Sequence, residues 1–244
     1  MVMMTPLLSL PLTVAAPVQA RAPSAPVATT VPGRTIAFSG YSWAVKSSTE
    51  PVGPGPNVFS DSTENVWVDA AGQLHLRTTY RDGRWRTAEV ILAQSLGFGK
   101  YTFRVASPLG NLDPNIVVGL FTWNDDPAYN HREIDIEFAR WGNAADPTSG
   151  QYVVQPYDRA GNLTRFIQPA SAASVHSFTW TSKSVLFTSA TATGQPIANW
   201  RTTTRDVPRP GGEKVHINVW LNGGTPPVEG AETEIVISGF SFTR

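Results

Sequence analysis

The sequence predicts an all-β chain folded as an antiparallel β-sandwich or jelly roll. Three observations carry that expectation. Apolar residues recur with a period of two, as at Leu74 and Leu76 or at Tyr101, Phe103 and Val105, the spacing that sends alternate side chains to opposite faces of a strand. Glycine and proline, 20 of each in 244 residues, interrupt the chain too often for long helices. No stretch holds apolar residues at sustained helical spacing, and turn signals recur at short intervals, as antiparallel sheets require. With 41% hydrophobic residues and eight Trp, the chain has apolar surface for one core, and a single β domain of about 200 residues is expected.

Taken in order, residues 1–20, MVMMTPLLSLPLTVAAPVQA, form an apolar run that ends in Val18-Gln19-Ala20, with small residues where a signal peptidase cuts. They read as a secretory signal peptide, although the first five residues carry no Lys or Arg. A membrane anchor fits less well, because the run falls short of the roughly 20 apolar residues of a span and contains Pro6, Pro11 and Pro17. Residues 21–33, rich in Pro, Ala, Ser and Thr, read as a flexible lead-in, and the folded domain is expected over 34–244. Val66 and Val68 precede a turn at Asp69 to Gly72; Leu74, Leu76, Thr78 and Tyr80 then alternate up to Asp82-Gly83, a strong hairpin signal. Val117 to Trp123, His176 to Trp180, Val185 to Phe187 and His216 to Leu221 read as further strands.

Charge narrows the function. Nineteen Lys and Arg balance nineteen Asp and Glu, and only 16% of residues are charged, against about 25% in an ordinary soluble domain. Without a basic surplus there is no electrostatic basis for nucleic acid or an anionic membrane as partner. The absence of cysteine excludes disulfides and thiolate chemistry. A monomer without a cofactor is expected.

The informative segment is Asn130 to Phe138, NHREIDIEF. Strand geometry puts Ile134, Ile136 and Phe138 on one face and Glu133, Asp135 and Glu137 on the other. A strand with an apolar back belongs inside a sheet, so three aligned carboxylates there are costly and need a reason. Three readings are open. The row is a solvated face neutralised by Arg132, Arg140 or other basic neighbours; or it is a metal site, with His131 on the same face if the strand already runs there; or it is a carboxylate pair for glycosidic cleavage, in which mutual repulsion makes one carboxyl hold its proton as acid while another stays ionised. Glu133 and Glu137 lie about 13 Å apart at Cα, a gap their side chains can narrow. A carboxyl separation near 5.5 Å would imply retention of configuration.

Glu133-Ile134-Asp135-Ile136-Glu137-Phe138 resembles the signature of glycoside hydrolase family 16, in the unbulged Glu-x-Asp-x-Glu form of its lichenase and xyloglucan-enzyme branch. Weaker likenesses run from residue 36 to 244: Gly97 to Val105 is similar to the strand after the family's Tyr-Gly, His176 to Trp180 to its His-x-Tyr-x-x-Trp strand, and Asn218-Val219-Trp220 to its late Trp strand. The resemblance implies a concanavalin-like jelly-roll sandwich of two antiparallel sheets with a concave substrate cleft. It also implies a retaining mechanism with Glu133 as nucleophile, Glu137 as acid/base, and Asp135 tuning the nucleophile. Two departures stand out. His131 and Arg132 occupy the places of a Trp-Asp pair common in the lichenase branch, and residues 234–242, EIVISGFSF, lack the Asp of the family's usual calcium position, so no metal site is expected.

Sugars bind by stacking their C–H faces on aromatic rings while amides and carboxylates reach their hydroxyls. On the His216 to Leu221 strand, His216, Asn218 and Trp220 share the polar face. Gln155 and Tyr157 share another, Trp141 follows Glu137 if the acidic strand continues past Phe138, and Trp123 closes the preceding apolar strand. The candidate sugar contacts are therefore Trp123, Trp141, Gln155, Tyr157, Asn218 and Trp220. Trp67 and Trp180 read as core, while Tyr41 and Trp43 are candidates for the far end of a groove. The expected protein is a secreted, extracellular or periplasmic, retaining endo-β-glycosidase for a neutral, β-glucan-like polysaccharide. Transglycosylation by the same chemistry, a noncatalytic carbohydrate-binding jelly roll and a metal-dependent hydrolase are the alternatives.

Overall fold

The computed structural model describes residues 33–170 and 173–244; the expected signal peptide and the lead-in up to residue 32 lie outside the described residues. The chain enters the fold where the alternation begins: Val45 N donates to Arg34 O at 2.7 Å, and the first strand opens at Thr35.

The described residues form seventeen strands. They are β1 (Thr35–Phe38), β2 (Tyr41–Val45), β3 (Val66–Val68), β4 (Leu74–Arg77), β5 (Thr79–Arg81), β6 (Arg84–Arg86), β7 (Ala88–Leu92), β8 (Gly99–Val105) and β9 (Ile116–Trp123). After these come β10 (Ile134–Phe138), β11 (Gly150–Val154), β12 (Leu163–Phe166), β13 (Ser174–Trp180), β14 (Val185–Thr191), β15 (Pro196–Thr202), β16 (Lys214–Leu221) and β17 (Glu234–Thr243). Among the described residues, helical structure is limited to two 3-10 turns, Asn130–Arg132 and Asn222–Gly224. Asp82 and Gly83, both at positive φ (53° and 75°), join Arg81 to Arg84, the turn that an Asp-Gly pair between alternating runs demands.

Two large antiparallel sheets make the sandwich. One runs β1-β2-β7-β16-β9-β10-β11-β12, the other β15-β14-β13-β8-β17-β4-β3, and β5 and β6 form a separate hairpin. Between the sheets lies one apolar core, built from the inward phase of each strand. Val118 and Leu120 of β9, Ile134, Ile136 and Phe138 of β10 and Val215, Ile217 and Val219 of β16 meet Tyr101, Phe103, Phe178 and Phe187 of the opposite sheet. Each such side chain contributes about 1.5–3 kcal/mol by leaving water. Because side chains alternate strictly, this burial fixes which residues of the eight-stranded sheet face outward.

Two Trp expectations change. Trp43 is fully buried, donating from Nε1 to Phe38 O at 3.1 Å and meeting Phe240 edge-on at 5.4 Å, and Tyr41 packs on the same Phe240 ring; neither belongs to a groove, because the inward phase shared with Val45 commits Trp43 to the core. Trp180 is core as expected. Trp67 instead lies half-buried on the outer face of its sheet, stacked on His75 at 4.5 Å, whose ring nitrogens face Glu234 and Asp69.

A polar bridge crosses the core. His176 of β13 is fully buried, with Ser174 Oγ 2.7 Å from Nε2 and Ser189 Oγ 2.7 Å from Nδ1, and the Tyr152 hydroxyl of the other sheet donates to Ser189 Oγ at 2.6 Å. Two rotatable hydroxyls suit a neutral imidazole, which needs one donor and one acceptor. Burial brings the His176 pKa down from 6.5 to about 3. Since the unfolded chain protonates at the higher value, this group's contribution to stability is complete above pH 6.5 and declines as pH falls toward 3. Denaturant unfolding followed against pH is expected to show a loss of a few kcal/mol across that window from this group. A His176→Gln variant should be less stable at pH 7 yet lack that part of the slope.

Candidate active site

The acidic strand β10 lies inside the eight-stranded sheet, between β9 and β11. Its apolar phase is sealed in the core, which forces Asp135 and Glu137 onto the outer face of the sheet. The strand starts at Ile134, and Glu133 sits at the mouth of an unusual turn. Tyr129, Asn130, His131 and Arg132 all have positive φ (54°, 52°, 62° and 53°), a conformation that costs about 1–2 kcal/mol for each L-residue. Neighbours hold it in place: Thr122 Oγ1 donates to Arg132 O at 2.8 Å, His131 Nδ1 lies 2.8 Å from Asn124 O, and the His131 ring stacks on Trp123 at 4.0 Å and 6°.

That turn overturns the placement of His131. It stands behind Trp123 and off the strand, so it does not join Glu133 and Asp135 as a metal ligand. No group of three or more His, Asp or Glu side chains placed to hold a metal occurs among the described residues. The basic neighbours of the solvated-face reading are also engaged elsewhere. Arg132 is buried and donates to Arg209 O, Ala128 O and Asp126 Oδ2, and Arg140 donates to Gly110 O.

Amides meet the carboxyl groups instead. Gln151 of β11, opposite Glu137, donates from Nε2 to Glu137 Oε2 at 2.7 Å, and Gln155 Nε2 lies 3.4 Å from Asp135 Oδ2. Asp135, 2% exposed, shares a hydrogen bond with Glu133. Burial first, and the neighbouring charges of Glu133 and Glu137 next, hold the Asp135 proton well above the usual aspartate range. Burial likewise raises Glu137, against the opposing pull of the Gln151 donor and the more distant Arg165 charge, from 4.5 to about 7. Burial and mutual repulsion thus raise Asp135 well above the usual aspartate range, and burial raises Glu137 into the neutral range.

The rest of the floor follows from register. Opposite Glu137 on β9 is Gly119, opposite that on β16 is Asn218, and opposite that on β7 is Glu89. A Cβ at Gly119 would stand 2.6 Å from Asn218 Oδ1, so only glycine lets the amide lie flat there. Asn218 Nδ2 turns to Glu89 Oε2 at 3.2 Å, His216 Nδ1 lies 2.8 Å from Glu89 Oε1, and Lys46 Nζ pairs with Glu89 at 3.1 Å. Burial alone would raise the Glu89 pKa; Lys46, His216 and Asn218 overcome it and bring it to about 2. Arg165, at the other end of the row opposite Gln151, pairs with Asp146 at 3.0 Å.

Aromatic side chains flank the carboxyl row at both ends. Trp123 and the half-exposed Tyr129 and Tyr157 stand at the Glu133 end. At the Glu137 end, Trp141 and Trp220 meet at 6.1 Å and 59°. Trp141 does not get there by continuation of the strand, which ends at Phe138; it sits in a second left-handed turn, φ 52°, followed by Gly142 at 82°. Its Nε1 donates to Gln151 Oε1 at 3.1 Å. Of the expected sugar contacts, Trp141, Asn218 and Trp220 thus gather near Glu137, and Trp123, Gln155 and Tyr157 near Glu133 and Asp135. Gln151, Glu89, Lys46 and Gly119 escaped the reading of the sequence. Gln151 shares its strand phase with Gln155 and was legible in principle, whereas Glu89 is one acid in the apolar run Ala88–Leu92 and only register joins it to Lys46.

No family model and no curated protein matches the chain. Solved structures do. A Bacillus licheniformis β-glucanase superposes with a TM-score of 0.62 at 19% identity, over 83% of this chain and 92% of its own. A Mycobacterium marinum β-1,3-glucanase gives 0.64 at 17%, over 88% and 95%. A Mycobacterium tuberculosis protein described as an immunostimulatory antigen and pseudo β-1,3-glucanase gives 0.60 at 23%, over 83% and 91%. At these identities the likeness is one of fold: the chain is an all-β jelly-roll sandwich of the β-glucanase type.

The Glu89 network yields a test of floor electrostatics. Removing one partner of a buried charge pair costs about 3–5 kcal/mol, mostly from the charge left behind. Lys46→Met is therefore expected to lower urea-unfolding stability at pH 7 by about 3 kcal/mol, and adding Glu89→Gln should recover most of it, a coupling visible in a double-mutant cycle.

Proposed function

We propose that the chain is a retaining endo-β-glycosidase of the family 16 kind, exported from the cell and acting on a neutral, β-glucan-like polysaccharide. One observation carries the reading. Burial raises the Glu137 pKa to about 7, while Asp135 beside it shares a hydrogen bond with Glu133. Cleavage with retention needs one carboxyl to protonate and one to attack, and the raised pKa of Glu137 suits the proton donor. The family resemblance assigns the attack to Glu133, and the raised pKa of Glu137 supports the complementary role.

In the first step a Glu133 oxygen forms a bond to the anomeric carbon as the glycosidic C–O bond breaks, and Glu137 gives its proton to the departing oxygen. In the second, Glu137 takes a proton from water, the water oxygen bonds to the anomeric carbon, and Glu133 leaves as carboxylate. A sugar hydroxyl in place of water gives transglycosylation. Asp135, by hydrogen-bonding Glu133, orients it and moderates its charge.

A neutral glycan fits the floor because its cations are already committed: Lys46 pairs with Glu89 and Arg165 with Asp146, which leaves a sulfated or uronic chain facing the carboxyl row. Trp123, Tyr157, Trp141 and Trp220 offer stacking surfaces and Gln155 an amide for hydroxyls, whereas Asn218 is buried, with its Nδ2 turned to Glu89. The Mycobacterium tuberculosis neighbour, described as a pseudo-glucanase, favours one further reading, a cleft that binds glycan without cutting it.

Product analysis on β-1,3, β-1,4, mixed-linkage and galactan substrates separates these readings. Oligosaccharides released with retained configuration are expected from at least one glucan; tight binding with no release would favour the noncatalytic reading. Glu133→Gln should lower turnover by at least about a thousandfold with thermal unfolding unchanged, and near-normal turnover would overturn the assignment. Azide added to Glu133→Ala should restore turnover with a glycosyl azide as product. Since Glu137 must be protonated to act, activity is expected to fall as pH rises through about 7.

A further inference from the structure

Gln151 touches Glu137, but its own orientation is set from elsewhere. An indole N–H can only donate, so the Gln151 atom that faces Trp141 Nε1 at 3.1 Å must be the carbonyl oxygen. The amide nitrogen is thereby turned to Glu137 Oε2, 2.7 Å away, and it too can only donate. An oxygen that faces a donor cannot carry a proton toward it. We propose that Trp141 is a positioning residue whose indole N–H locks the Gln151 amide, so that Glu137 Oε2 is always an acceptor and the proton of Glu137 resides on Oε1.

The functional meaning rests on Glu137 as the acid/base: a group that gives up and regains a proton in each cycle then does so at one defined atom. The placement of Trp141 agrees with a dedicated role. It occupies a left-handed conformation that side chains rarely adopt, φ 52°, and the turn is closed by Gly142 N donating to Pro114 O at 2.8 Å and Asn143 N to Arg140 O at 2.9 Å. The other titratable groups around Glu137 are Glu133 just before β10, Asp135 on β10 and Arg165 on β12, held by Asp146, with Glu89 on β7, Lys46 just past β2 and His216 on β16 farther off; the β9 residues of this face, Gly119, Phe121 and Trp123, do not titrate.

Trp141→Phe keeps the ring and removes the N–H. The amide is then free to turn its carbonyl to Glu137 and accept the proton of the neutral acid, which stabilises that form. Glutamate labelled with 13C at the side-chain carboxyl, with Glu137→Gln to assign the resonance, reads the titration directly by NMR. The Glu137 midpoint is expected to rise by about 0.5–1 pH unit in Trp141→Phe. Gln151→Leu should raise it similarly, and Trp141→Phe should add nothing in the Gln151→Leu background. An unchanged or lowered midpoint in Trp141→Phe overturns the proposal, as does an undiminished rise in the Gln151→Leu background, which would mean that the ring acts by burial alone. The titration needs no substrate, so failure to cleave any glycan would strike the proposed enzyme and leave this result to stand or fall by itself. Where turnover is found, the basic limb of its pH profile should move up with the carboxyl midpoint.

Discussion

Asp135 and Glu137, in alternate positions of an interior strand, and Glu133 just before it repel one another, and much of the sheet's outer face is arranged around that repulsion. Their backs, Ile134, Ile136 and Phe138, are sealed in the core, so the strand cannot slip by one residue and turn the acids elsewhere. Relief comes from protons and amides in place of cations. Asp135 holds its proton well above the usual aspartate range, Glu137 is close to its midpoint at neutral pH, and Gln151 and Gln155 supply the donors. A guanidinium in direct contact would have ionised Glu137. The two arginines next to the row in sequence, Arg132 and Arg140, instead anchor loops through backbone carbonyls and Asp126.

Both approaches to β10 are left-handed, Tyr129 to Arg132 before it and Trp141-Gly142 after it. Such backbone costs energy and persists only where surrounding contacts overdetermine it. Here each turn carries an aromatic group to the row. The first backs Trp123 with His131, and the second brings Trp141 to Gln151 and Trp220. The stability that offsets this strain comes from the apolar sandwich underneath, where Ile134, Ile136 and Phe138 join the core shared by both sheets.

Across the floor, register aligns a polar row from Arg165 through Gln151, Glu137, Gly119 and Asn218 to Glu89 and Lys46. A cation terminates each end, and each is paired with an acid, Arg165 with Asp146 and Lys46 with Glu89. The two acids of the row differ in kind. Glu89, ringed by Lys46, His216 and Asn218, stays ionised to about pH 2, while Glu137, facing one amide, holds a proton up to about 7. The same residue type thus serves as a fixed charge at one position and a proton donor at another, and the neighbours make the difference.

The all-β class, the hairpin at Asp82-Gly83 and the common face of Asp135 and Glu137 were legible in the chain, because each depends on alternation or on a dihedral preference acting over a few residues. The outward phase of Asn218 and Trp220 was legible for the same reason. Trp43 lies in the core where a groove position was expected, and Trp67 on the outer face of the seven-stranded sheet where core was expected, since a lone Trp does not reveal which sheet covers it. His131 and Trp141 were extrapolated along a strand that ends before reaching them, and backbone handedness in a turn leaves little trace when the residues are not glycine. The sequence by itself determined that an acidic strand lies within a β-sandwich and which side chains share its face. Only the tertiary structure decided which neighbours those acids meet, because Gln151, Gly119, Asn218 and Glu89 come from four strands scattered over more than a hundred residues and are joined solely by hydrogen-bond register.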